Sequence, residues 1–270
     1  MSYQYPSVIE GGEERLLSLH PREEALNGHF AEGAIPCSAG VIPAYGITDD
    51  CPIIPREQWA VQESRKHLIT RILDQDGLNY CHSFAGAQTL MGTRNAAGMI
   101  DTELSAVCLG SQVTGGRNSG AALSDVLPVL LDSGTVPALL ISNSSANMSQ
   151  RNWPSGWKEA ASDYVVLEAY DIAQSNVFAK ASSALQRGFF VAFGMDWGRG
   201  GHALCAVDLV QVGGEWGWHG VGSWGPKAHD GDGWWTFAES KMFGLNKYGC
   251  FAIRVAKRAK VDPVPPALKL

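Results

Sequence analysis

Gln75-Asp76-Gly77-Leu78-Asn79-Tyr80-Cys81-His82-Ser83-Phe84-Ala85-Gly86-Ala87 opens on turn formers and passes at once into small, helix-compatible residues. The pattern predicts a helix whose first turn carries Cys81. Free backbone N–H groups and the helix dipole at such a position favour a thiolate over a thiol, which is the state a cysteine nucleophile needs at neutral pH. His82 adjoins Cys81 but is not its partner, because successive helical side chains diverge by about 100°.

Outward from this stretch the chain changes character once. Toward the middle it reads as helical: Leu123, Val126, Leu127, Leu130 and Leu131 fall at helical spacing within Ala121 to Asp132, with Gly134 as the stop. Asn176 to Arg187 forms a second helix that ends at Gly188. From there on come short apolar or alternating runs separated by glycines: Phe189 to Trp197, Ala203 to Val212, Glu215 to Trp224, Gly233 to Phe237 and Cys250 to Val255. Runs of this kind read as antiparallel strands. Helices first and strands second imply an α+β protein of two segregated halves, with a cleft between them as the natural place for a site.

A second chemical constellation lies at Gly200-Gly201-His202-Ala203-Leu204-Cys205-Ala206-Val207, a histidine that starts an apolar strand. Downstream stand Val221-Gly222-Ser223-Trp224-Gly225 and Gly231-Asp232-Gly233-Trp234-Trp235, and upstream Ile54-Pro55-Arg56-Glu57-Gln58-Trp59. Taken in order, these blocks resemble the papain-like (C1-type) cysteine peptidases. Gln75 to Cys81 resembles that family's Q-x-x-x-x-x-C stretch, the histidine strand its H-A-V-x-A-V-G, and Gly222-Ser223-Trp224-Gly225 its N-S-W-G. Thr114-Gly115-Gly116 resembles its C-x-G-G segment, which binds extended substrate backbone.

The resemblance covers roughly residues 52 to 256. It implies the papain-like fold, a helical half carrying Cys81 and a barrel-like antiparallel half carrying His202. It implies Cys81 as nucleophile, His202 as base and then acid, and Gln75 as an oxyanion donor, a role typically worth about 10²- to 10³-fold in rate. Gly115, Gly116 and Trp224 would line the substrate side, with Trp224 shielding the histidine. The chain departs from the pattern at three places. His82 replaces a tryptophan, Leu78 a half-cystine, and Gly222 the asparagine that orients the histidine. That last role could pass to a backbone carbonyl, a water, His219 or Asp208. His20, His29, His67 and His229 sit among polar or turn-forming residues and read as surface positions.

Residues 1 to 51, rich in Gly, Glu and Pro with small apolar clusters at Leu16, Leu17 and Leu19, read as an extension, either an inhibitory prosegment or an arm that docks to a larger assembly. Residues 257 to 270, with Pro263, Pro265 and Pro266, read as a tail. The balance of 21 Lys+Arg against 27 Asp+Glu, net charge -6, argues against nucleic acid as a partner. No run reaches the roughly 20 apolar residues of a membrane span, and the N-terminus lacks the pattern of a secretory signal. A cytoplasmic protein or a component of a viral or microbial assembly is expected.

Cysteines at 37, 51, 81, 108, 205 and 250 show no metal-ligand spacing, and His229-Asp230-Gly231-Asp232-Gly233 lacks the further ligands of a calcium loop. No metal or cofactor is expected. The sequence thus points to a cysteine endopeptidase acting on peptide or protein substrates. The alternative is the same fold kept as a structural or binding component with weak or no turnover.

Overall fold

Two apolar surfaces meeting on one long helix organise the molecule, shown by a computed structural model that describes residues 7–10, 13–21, 51–172, 175–229, 231–257 and 259. The helix is α1 (Cys81–Ala96), buried along almost its whole length. Against one side of it pack α2 (Ala106–Thr114) and α3 (Leu123–Asp132), whose Leu123, Val126, Leu127 and Leu130 are inward and buried. Helix α2 starts where Ser105 Oγ accepts the Cys108 N–H and ends at left-handed Gly115, as capping chemistry requires. Short α4 (Trp157–Ala161) completes this half.

On its other side α1 packs on a six-stranded antiparallel sheet. Its strands are β3 (Val166–Ile172), β4 (Phe190–Asp196), β5 (Gly201–Val212), β6 (Glu215–Val221), β7 (Trp234–Ala238) and β8 (Cys250–Ala256). They lie in the order β3-β8-β4-β5-β6-β7. Helix α5 (Val177–Gln186) packs on β3, β4, β5 and β8, and short α6 (Leu245–Tyr248) leads into β8. A hairpin of β1 (Ser7–Glu10) and β2 (Glu13–Leu16) stands apart from this sheet.

The sheet half has its own core. Trp218 is fully buried, stacked on Phe178 at 5.0 Å and edge-on to Phe193 at 4.9 Å, and its Nε1 donates to Ser182 Oγ at 2.9 Å. Each aromatic pair of this sort adds about 0.5–1.5 kcal/mol beyond area burial. The expected entry segment docks here too, through Ile54 N–H to Ser183 Oγ (2.8 Å) and buried Trp59 edge-on to Trp216.

This is the expected α+β papain-like arrangement of a helical half and an antiparallel half. The helix expected to open at Cys81 is present, and the five anticipated strands and the two further anticipated helices are present with shifted ends. Strand β3 lies outside every predicted element: its sequence Val-Leu-Glu-Ala-Tyr-Asp-Ile alternates only in part, with Leu167 exposed and Glu168 and Asp171 neither fully in nor fully out. Cys51, Cys81, Cys108, Cys205 and Cys250 are buried. Cys37, His29, Asp230 and most of the tail lie outside the described residues. Among the described residues no helix is long and apolar enough to cross a membrane, and no three His, Cys, Asp or Glu side chains gather in a way that could hold a metal.

Candidate active site

Cys81 is the first residue of α1 and is held there by contacts from three directions. The turn before it runs through left-handed Asp76 (φ 41°) and Gly77 (φ 73°), closed by the Leu78 N–H on Gln75 O at 2.8 Å. The Tyr80 hydroxyl meets Thr114 Oγ1 at 3.0 Å, and Asn79 N–H donates to Asn118 Oδ1 at 2.7 Å. The Gln75 N–H reaches Ser223 O at 2.8 Å, which ties the turn to the loop after β6. Like every helix start, this one leaves its first N–H groups without helical acceptors, and the His82 N–H is directed at the Cys81 sulfur.

His202 is the second residue of β5, opposite Met195 of β4. The N–H of the next residue, Ala203, also points at the Cys81 sulfur, so the two expected partners lie together where α1 meets the sheet. The His202 ring stacks on Trp224 (4.2 Å, 23°) and stands edge-on to Trp197 (5.6 Å). Burial above all, and then the charge of His229, push its pKa down to about 3. Burial pushes the Cys81 thiol up, against opposing hydrogen bonds from the Ser18 hydroxyl and three backbone amides. In this state both groups are uncharged at neutral pH, Cys81 as a thiol and His202 as a neutral imidazole.

The side chain of Gln75 is buried and held at both ends of its amide. Ser223 Oγ donates to its Oε1 at 2.6 Å, and one hydrogen of Nε2 is spent on Leu78 O at 2.6 Å. The amide carries two hydrogens, so the second is left over.

Residues 17–20 were expected to belong to an extension outside the core, yet they cross this site. Leu17, Ser18 and Leu19 are buried. Ser18 Oγ lies 3.4 Å from Cys81 Sγ. The Leu19 N–H donates to Gly201 O at 2.9 Å on the sheet side, and the His20 N–H to Ala121 O at 3.1 Å on the helical side. Leu17 packs with Trp224 and Ala228, and Leu19 enters a pocket whose wall is formed by Gly194, Gly201 and Tyr248. A Cβ on Gly194 would collide with Leu19 Cδ2, so that space exists because Gly194 lacks one; a Cβ on Gly201 would collide with the Tyr248 ring and with Leu19 O.

The expected glycine pair is not what meets this segment. Gly115 caps α2, and Gly116 bonds back to Ser111 and lies against Met148. Four residues on, Gly120 lies so close to Ser18 O that no Cβ could be placed there. On the helical side, the backbone that lies against residues 17–20 is that of Gly120 and Ala121.

Neither candidate for orienting His202 is available for it. Asp208 is buried and committed to Arg65 Nε (3.1 Å), Arg65 N–H (3.1 Å) and Ser64 Oγ (3.0 Å). His219 pairs across the sheet with Asp208 and packs on Trp234 at 4.7 Å. His20 and His229, expected at the surface, are half-buried there: His20 faces Gly120, and His229 packs on Trp224 and Trp197. His82 is fully buried, edge-on to Tyr80 at 5.7 Å, with its pKa pushed down to about 3 by burial and then by His20.

These depressed histidines make the hold of residues 17–20 depend on pH. With the segment in place, His82 and His202 stay uncharged until pH about 3, whereas an exposed histidine protonates near 6.5. Protonation therefore favours the opened state. The closed state keeps its full stability above pH 6.5 and loses it as pH falls through the window from 6.5 to 3, by about 30-fold at pH 5 where opening frees one histidine, His82, to titrate apart from the thiolate. Hydrogen exchange at the Leu19 and His20 amides, corrected for intrinsic rate, should show protection falling between pH 7.5 and 5. Constant protection would contradict this.

No family model matches the sequence, and no curated protein matches it. Solved structures do. The cysteine protease and lectin-like domains of Cwp84, a surface layer associated protein of Clostridium difficile, match with a TM-score of 0.63 at 15% identity, over 80% of this chain and 55% of that one. This chain thus spans little more than half the length of that protein. Xylellain, a cysteine protease from Xylella fastidiosa, matches with a TM-score of 0.55 at 16% identity, over 78% of this chain and 98% of that one. Digestive procathepsin L 3 of Tenebrio molitor larval midgut matches with a TM-score of 0.58 at 14% identity, over 77% and 75%. With a helix bearing a cysteine at its start packed on an antiparallel sheet bearing a histidine, the chain has the papain-like cysteine-protease fold in a divergent sequence.

Proposed function

We propose that the chain is a cysteine-type endopeptidase, latent in this state because its own residues 17–20 occupy the cleft. The observation that carries the reading is the convergence on one sulfur of a helix start, the amide beside His202 and a Ser18 hydroxyl at 3.4 Å. With the cleft open, water relieves the burial of Cys81 and His202, and proton transfer from Sγ to the imidazole yields the ion pair.

The thiolate then attacks the carbonyl carbon of a peptide bond. The Cys81 N–H and the spare hydrogen of Gln75 Nε2 receive the oxyanion. As the C–N bond breaks, the imidazolium proton passes to the leaving amine and a thioester remains. Water, giving its proton to His202, releases the acid and restores the thiol. Trp224 covers the imidazole throughout. The Leu19 pocket suits an apolar side chain of a peptide or protein substrate laid along Gly120 and Ala121.

Residues 17–20 are not cut because the sulfur meets the Ser18 hydroxyl and amide, while the Ser18 carbonyl is turned to Gly120. In this reading the N-terminal residues are an inhibitory prosegment rather than a docking arm. Gly222, which offers no side chain to His202, favours the alternative of a catalytically silent component of a viral or microbial assembly.

One experiment separates the two. A cysteine-peptidase-directed epoxide, applied to the full chain and to a chain lacking residues 1–50, should modify Cys81 selectively in the shortened chain, with modification lost in Cys81→Ala. Equal labelling of several cysteines, or none, in both forms would leave the silent component as the better reading.

A further inference from the structure

Both ring nitrogens of His202 are buried and have no hydrogen-bond partner among the described residues. An imidazole that shuttles protons needs one of them held, because the partner of the far nitrogen decides which tautomer faces the nucleophile. Gly222 is where a side chain could do this, and the space beside it is not empty. A Cβ built on Gly222 would lie 3.0 Å from His229 Nε2 and 3.7 Å from Leu204 Cδ2. Already the first atom of a side chain at 222 would press on the His229 imidazole, which would have to give by a few tenths of an ångström.

His229 is brought there by the loop after Trp224. Ala228 O accepts the Gly233 N–H at 2.8 Å, and His229 itself adopts a left-handed backbone (φ 48°), which a residue with a Cβ takes up only at a cost of about 1 kcal/mol or more. The His229 and His202 rings contact the same two indoles. Trp224 stacks on His202 at 4.2 Å and on His229 at 5.7 Å, and Trp197 meets them at 5.6 and 6.3 Å. The two imidazoles are near enough for a charge on His229 to bear on the protonation of His202.

We propose that His229 is the positioning residue for His202, its Nε2 lone pair accepting the N–H that faces away from Cys81, in the space a side chain at 222 would otherwise occupy. This rests on the reading of Cys81 and His202 as a working pair. His229 acts as the acceptor only while neutral, with its own proton on Nδ1.

Ring-nitrogen NMR on the full chain carrying Cys81→Ala, with ¹⁵N-labelled histidine, tests the assignment without turnover. With His229 present, the two ring shifts of His202 should be far apart, as for one fixed tautomer. In His229→Ala they should move toward a common averaged value, and in His229→Ala combined with Gly222→Asn they should separate again, because an amide oxygen then enters the vacated space. His229→Gln, which keeps an acceptor, should preserve the separation and guards against a loss caused only by misfolding, which the remaining histidine signals would reveal. Unchanged His202 shifts in folded His229→Ala would overturn the proposal. Failure of Cys81 to take the epoxide is a separate result, overturning the peptidase reading while the tautomer measurement still decides the role of His229.

Discussion

Leu19→Asp in the full chain is expected to raise the rate of Cys81 alkylation by about 10²- to 10³-fold at neutral pH. Leu19 is 5% exposed and fills the space left by Gly194 beside Tyr248. A carboxylate placed there loses its water and finds an apolar wall, a cost of several kcal/mol, and each 1.4 kcal/mol is tenfold in the closed-to-open equilibrium. The alkylating reagent reaches the sulfur only in the open state, so the rate follows that equilibrium. Leu19→Ala, which removes packing without adding charge, should give a smaller gain of about 10-fold or more, in line with a loss of 2 kcal/mol or so. The measurement is the time course of adduct at Cys81 by mass spectrometry, with Cys205 and Cys250 as internal references for general loosening. Equal Cys81 rates in the unchanged chain and Leu19→Asp would mean that residues 17–20 do not guard the site.

Much of this site was legible in the sequence because its chemistry is local. A turn that leads into small helical residues marks Cys81, and a glycine pair before an apolar strand marks His202. Gln75 and Trp224 stand at fixed offsets from other recognisable residues. What was not legible depends on contacts across the fold. Leu17-Ser18-Leu19 is an apolar pair flanking a small residue, and nothing within it says that both leucines are buried against Trp224 and Tyr248. Gly115-Gly116 carries the stronger local signal, but Gly115 ends α2 and Gly116 closes on Met148 O, while the close approach to Ser18 falls on the isolated Gly120. His229 looked solvent-facing because its sequence neighbours are polar. Its position follows from the return of the chain under Trp224, and the only hint was a histidine five residues after that tryptophan, across a turn opened by Gly225-Pro226. Gly222, read as a loss, is better understood together with His229, since the missing side chain is what makes room for the imidazole.

The second large effect is expected on the chemistry itself. In a Leu19→Asp background, His202→Ala should lower kcat for peptide hydrolysis by about 10⁴- to 10⁶-fold, the range seen when a base that acts as a unit with its nucleophile is removed. Gln75→Ala should cost about 10²- to 10³-fold, because the Cys81 N–H remains to receive the oxyanion. Combining the two should cost far less than the product, since without a base the thiolate is too scarce for the oxyanion site to be used. A purely structural role for His202 would also lower kcat, so the pH dependence of alkylation has to decide. With His202 present, the opened site holds its thiolate as an ion pair, and the alkylation rate should stay high well below the ordinary thiol range. In His202→Ala the same rate should follow a single ionisation near the free-thiol value of about 8.5. If both forms titrate there, the imidazole does not share the sulfur's proton, and the stacking of His202 on Trp224 at 4.2 Å is packing alone.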